Sequence, residues 1–204
     1  IDNLQRVFEY PEIAKDFLPM LRHWHEEAKN VEIWQKLRLV LANSTEAYIQ
    51  LDVNQSPFNV GRQVKLPGFN LEQMMQLAQQ SGLEQNETIK EFAQSLIKLV
   101  NGHPYLVKQA FFAINQDKLA PEKVLQDAAT QGGIYASYLL RHWENLQKQP
   151  ELITAMQKVI ENPTGVQLEP ILAYKLEGMG LVTIAGDLVQ PSCELYRRYF
   201  KDHL

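Results

Sequence analysis

Asp2 is the first residue with chemistry to offer. An acid closing a central strand can hold the hydration shell of a magnesium ion, and its neighbour can activate water. Here the neighbour is Asn3, whose amide cannot take a proton from water at neutral pH. The plainer reading of Asp2 is a solvent-facing acid near a terminus. Ser44-Thr45-Glu46 is the second group. A hydroxyl at a strand end can reach a terminal phosphate or an attacking water, and Glu46 can serve as a catalytic carboxylate. The same residue types also form ordinary turns. Gly102-His103-Pro104-Tyr105 is the third. Gly102 frees the backbone, and Pro104 opens a helix without wasting a donor. Such a corner can pack against an adenine base, with His103 left to hydrogen-bond to it. It can equally be a turn between two helices.

Other reactive types carry less. His23 and His25 flank Trp24 and point to different sides of a helix, without a metal-binding spacing. Cys193 has no histidine near it in sequence and reads as a buried small residue. No Gly-rich phosphate loop occurs in the 204 residues.

These groups need elements to position them. Apolar residues at 13, 17, 18, 21 and 24 predict a helix over 11–29, with Pro19 kinking or breaking it. Residues 31–36 read as a short helix or turn. The run Leu37-Arg38-Leu39-Val40-Leu41-Ala42 suits a central parallel strand covered on both faces. Residues 52–61 are loop, and 63–66 a short edge strand. From Asn70 the pattern becomes helical, and Gln73 stands at the capping-box spacing. Further helices are predicted over 89–100, 104–115, 121–130, 134–146, 150–161 and 168–177. A hairpin over 181–189 turns at Gly186-Asp187, and Ser192 caps a last helix to Phe200. Helices followed by a hairpin and a helix give the order of a winged helix.

Composition narrows the function. A net charge of −4 offers no general attraction to nucleic acid or anionic membrane. Between residues 120 and 204 there are 8 Lys or Arg against 10 Asp or Glu. The helix in the recognition position, 168–177, has one Lys and two Glu, which points away from base edges and towards protein. Arg197, Arg198 and Lys201 make a small basic patch of surface character. The longest apolar run falls far short of a membrane span. A single cysteine fits a reducing compartment, and the expected location is cytoplasmic.

Several runs carry a family resemblance. They are Arg6-Val7-Phe8-Glu9-Tyr10-Pro11-Glu12-Ile13-Ala14, Trp24-His25-Glu26-Glu27-Ala28-Lys29, Leu37-Arg38-Leu39-Val40, Ser44-Thr45-Glu46, Asn54-Gln55-Ser56-Pro57-Phe58-Asn59-Val60-Gly61, Gly102-His103-Pro104-Tyr105-Leu106-Val107 and Cys193-Glu194-Leu195-Tyr196-Arg197. Together they resemble the AAA-like domain family of bacterial, mostly cyanobacterial, proteins, similar to signalling-type P-loop ATPases. The resemblance implies an α/β fold: the distal part of a P-loop NTPase core over 1–68, a helical lid over 69–118 and a winged helix over 119–204. It implies ATP and Mg2+ as cofactors, with Asp2 in the Walker B position and metal-facing. Thr45, or Ser44, falls at the sensor hydroxyl, with Glu46 beside it, and Gly102, His103 and Pro104 at the lid motif near the base. Asn3 stands where that pattern has Glu, and Gln5 where it has Asp, which weakens hydrolysis more than binding. The phosphate loop would come from residues before Ile1.

The main expectation is therefore the distal portion of a nucleotide-binding regulatory ATPase that couples nucleotide state to lid and winged-helix position. The alternative is a non-enzymatic protein-interaction scaffold derived from such an ATPase. A winged-helix DNA regulator ranks third. Partnership with protein, or with a second copy, is expected; DNA and membrane are not.

Overall fold

The computed structural model describes residues 1–204 apart from 44–56, 58–59, 63 and 163. The chain divides into two compact units, Ile1–Leu66 and Pro67–Leu204.

In the first unit a 3-10 turn, Leu4–Glu9, leads into α1, Pro11–Glu27, and a short α2, Glu32–Gln35. Pro11 occupies the first turn of α1, where a missing N–H costs nothing. Ala14, Leu18 and Leu21 recur at helical spacing and are buried with Leu4. Trp24 stacks on Trp34 at 5.5 Å and so ties α1 to α2. Pro19 does not break α1, which continues through it. The carbonyl that Pro19 leaves without a donor belongs to Lys15, an exposed residue, where water can serve it. Ile13, expected on the apolar face, is exposed.

The α/β expectation is corrected here. Among the described residues there is no parallel sheet, and strand structure is confined to one antiparallel hairpin in the second unit. The run 37–42 is not a strand. It makes three bonds with the start of the chain: the Ile1 ammonium donates to Val40 O at 2.7 Å, Ala42 N–H donates to Ile1 O at 2.9 Å, and Leu4 N–H donates to Ala42 O at 3.1 Å. Leu37 is 39% and Val40 76% exposed, which is incompatible with a central strand covered on both faces. A six-residue apolar run does not by itself decide between strand and other buried structure. The edge strand expected at 63–66 is also absent among the described residues.

The second unit is helical. Its elements are α3 Leu71–Gln80, α4 Glu87–Val100, α5 Pro104–Asn115, α6 Pro121–Gln126, α7 Ala136–Gln147, α8 Pro150–Glu161, α9 Pro170–Gly178, the hairpin β1 Val182–Ala185 and β2 Leu188–Pro191, and α10 Glu194–Lys201. The capping box at α3 is complete. Gln73 N–H donates to Asn70 Oδ1 at 2.9 Å, and Asn70 N–H donates to Gln73 Oε1 at 3.0 Å. Asn86 caps α4 with a single bond, its Oδ1 accepting from Ile89 N–H at 3.0 Å. One apolar core runs from Met74 to Phe200 and draws on all eight helices and both strands.

The hairpin pairs Val182 with Pro191 and Ala185 with Leu188. Gly186, at φ +62, supplies the turn. Val166 and Val189 exchange both backbone bonds and widen the wing by one bridge. Helices, hairpin and closing helix thus give a winged-helix-like arrangement. Ser192 does not cap α10; its hydroxyl donates to Gly180 O at 2.6 Å and closes the base of the hairpin. Among the described residues no helix is long and apolar enough to cross a membrane.

Candidate functional site

Asp2 lies exposed in the first unit, where its Oδ1 accepts from the backbone N–H of Asn3 at 2.8 Å. Ser44, Thr45 and Glu46 lie outside the described residues. Gly102, His103 and Pro104 belong to the second unit and are described within it. Among the described residues no three His, Cys, Asp or Glu side chains group to hold a metal ion. ATP binding and a P-loop NTPase core, as the resemblance implies, are in conflict with a fold that is helical and that, among the described residues, lacks the parallel sheet on which a phosphate loop and a Walker B acid are carried. The nucleotide-coupled reading is therefore withdrawn.

The Gly102-His103-Pro104 corner joins two helices. α4 ends at Asn101 in the left-handed region, φ 50, and Pro104 starts α5. The backbone on the N-terminal side of α3 crosses this corner: Phe69 N–H donates to Gly102 O at 2.8 Å. A Cβ on Gly102 would overlap the Phe69 carbonyl and come within 2.7 Å of its nitrogen. Asn101 Nδ2 donates to Ser192 O at 3.1 Å, which fastens the corner to the segment between hairpin and α10. The His103 ring meets Tyr138 edge-on at 6.0 Å. Tyr138 in turn contacts His142 at 4.7 Å and shares a hydroxyl–hydroxyl bond of 2.9 Å with Tyr196. The corner is thus a packed junction of α4, α5, α7 and α10. Leu106 is buried beside it, while Tyr105 is exposed and accepts from Gln109 Nε2 at 2.8 Å.

His142 is only 6% exposed. Burial first, then the nearby His103 and Arg141 charges, hold its imidazole down to about 4 from 6.5. Burial likewise pushes the Cys193 thiol up to about 12, which disfavours the thiolate that a nucleophile needs. His142 did not stand out in the sequence, although its neighbour His103 did. The signal was present in the four-residue spacing of Tyr138 and His142, which puts both on one helix face.

The outward face of α9 is the other distinctive surface. Ile171 is 55% and Tyr174 62% exposed, and Leu188 of β2 is exposed as well. Residues of this kind on a helix read as core from sequence alone. The helix has one base, Lys175, and that base is engaged internally. Its Nζ donates to Gln149 Oε1 at 2.8 Å and lies 3.6 Å from Glu151. Arg197 and Arg198 of α10 both face Glu194, at 3.6 and 3.4 Å, so the basic patch is partly neutralised where it stands.

The chain is similar, at 23% identity over 150 residues, to an uncharacterized WD repeat-containing protein of Synechocystis sp.. The match covers 71% of this chain and 12% of that protein, so the chain spans a small part of the relative's length. No solved structure matches it. The AAA-like domain family matches residues 1–202, almost the whole sequence, and the chain belongs to that family.

Proposed function

We propose that this chain is a non-enzymatic protein-interaction module whose partner-facing surface is α9 with the adjoining hairpin. The observation that carries the reading is the pairing of exposed Ile171 and Tyr174 with a Lys175 already committed to Gln149 and Glu151. A winged helix that reads DNA offers free Arg, Lys, Asn or Gln from this position. This helix offers apolar and aromatic surface instead, the residue types enriched where proteins anchor one another. The Synechocystis relative supports the reading in one respect. Its name records WD repeats, and a segment like this one makes up 12% of it, which suits a module working among others.

The test is site-specific photo-crosslinking. A photoreactive benzoylphenylalanine in place of Tyr174 is expected to form protein adducts in cells that make this protein. The same group in place of Glu122, an exposed residue on α6, is expected to form none. Equal adducts at the two positions, or none at either, would overturn the proposal. Anisotropy titration with duplex DNA at physiological salt is expected to show no submicromolar binding. Tight, salt-sensitive binding there would favour the DNA-regulator reading instead.

A further inference from the structure

α9 and the hairpin enclose a groove of about 430 Å3. The apolar Leu168, Pro170, Ala173, Tyr174, Ile184 and Val189 line it together with the polar Gln167 and Asp187. Its charge is one-sided. The one charged residue among those lining it is the acid Asp187, and α9 with its N-cap carries one base, Lys175, against Glu169 and Glu177. Lys175 is taken up by Gln149 and Glu151. Asp187 lines the groove at the hairpin turn, and Glu169 stands at the start of α9 between Leu168 and Pro170. Both are exposed, and neither carboxylate makes a hydrogen bond or ion pair among the described residues.

We infer that this groove receives an amphipathic segment of a partner protein, with an apolar side chain in the groove and flanking Lys or Arg side chains against Glu169 and Asp187. The inference rests on the interaction reading above and names the chemistry of the partner. An apolar anchor in a groove of this size supplies the contact energy, because burying one large side chain is worth about 1.5–3 kcal/mol. The two carboxylates then choose between partners. A basic flank is attracted and an acidic one repelled, which sets encounter rate and specificity more than raw affinity. A nucleic-acid backbone is repelled by the same pair. A second copy of this chain offers Arg198 and Lys201 on its α10, so self-association is the competing occupant.

The experiment uses two peptides of about 15 residues, the length of a groove-binding amphipathic helix. Both carry a leucine face; one has Lys and the other Glu on its polar face. Binding is read by anisotropy, and its location by amide chemical shifts on the 204-residue chain. The Lys peptide is expected to bind at least about tenfold more tightly than the Glu peptide, because the two carboxylates attract the one flank and repel the other. Shifts are expected at Leu168, Ala173, Tyr174 and Val189. In the double variant Glu169→Lys, Asp187→Lys, whose sites are exposed, the preference is expected to reverse. Equal affinities, an unreversed preference or shifts centred on α10 would overturn the inference. Concentration-dependent dimerisation without peptide, abolished by the double variant, would assign the groove to a second copy instead. Tyr174 adducts that persist while the peptides show no preference would sink the basic partner and leave the interaction reading standing. Loss of both would sink both.

Discussion

Gly102→Ala is expected to destabilise the Pro67–Leu204 unit by about 3 kcal/mol or more, a loss in the range that marks a named structural fault. Two costs combine. Gly102 sits at φ +67, a conformation that an L side chain enters at a cost of about 1–2 kcal/mol. The new methyl would also be driven into the backbone of Phe69, whose nitrogen lies 2.7 Å from the Cβ position. Backbone cannot rotate aside as a side chain does, so the Phe69–Gly102 hydrogen bond must lengthen or the α4–α5 corner must open. The corner is fastened to Ser192 through Asn101 and to Tyr138 through His103, so a shift there reaches the packing of α7 and α10. Gly186→Ala is the control. It has a similar φ, +62, but nothing within 4 Å of its Cβ position, and it should lose only the conformational term, about 1 kcal/mol. Urea unfolding of the two variants separates the costs. Equal losses would show that the close approach of Phe69 contributes nothing.

Helix punctuation was legible in the sequence because it is chemical and local. Asn70 with Gln73, Pro104 after Asn101-Gly102, and Pro150 each act within one turn, and α3, α5 and α8 begin where those residues place them. The hairpin was legible for the same reason: Gly186-Asp187 sits between two β-prone runs. What failed depended on partners distant in sequence. Leu37 to Ala42 has the composition of a central strand, but a strand is defined by its neighbours, and this run's bonds to the start of the chain reach only Ile1 and Leu4 among the described residues. Ser192 has the residue type of a cap, yet Gly180 offers its hydroxyl a nearer acceptor across the hairpin base. The family resemblance was right while the fold it implied was not, because motifs shared over 202 residues do not supply the parallel sheet that the described residues lack. At the proposed surface, the scarcity of bases on α9 was readable from composition. The exposure of Ile171 and Tyr174 was not, since a helical apolar residue is equally a core residue until its surroundings are known.

His142 gave only the faint local sign of a tyrosine four residues before it, and its burial is expected to make the unit sensitive to acid. Its imidazole is buried against Tyr138 at 4.7 Å and Tyr196 at 5.5 Å, with the charges of His103 and Arg141 near it. Burial, His103 and Arg141, in that order, lower its folded value to about 4, while the unfolded chain keeps about 6.5. The sign follows from proton counting. Above 6.5 neither state binds the proton, so His142 imposes no penalty. Between 6.5 and 4 the unfolded state takes up a proton that the folded state refuses, and stability falls as pH falls. Below about 4 both states carry it and the loss stops growing. Between pH 7 and pH 4.5 this one group is expected to remove about 2 kcal/mol, since each unit of pH in that window is worth about 1.4 kcal/mol. His142→Phe, which keeps an aromatic ring between Tyr138 and Tyr196 and cannot be protonated, is expected to flatten that part of the stability–pH profile. It should do so whether or not it lowers stability at pH 7. Urea unfolding of both proteins at several pH values between 4.5 and 7 makes the comparison. Parallel slopes in the two would mean that the acid sensitivity arises from other groups and that His142 finds room or a partner for its proton in the folded state.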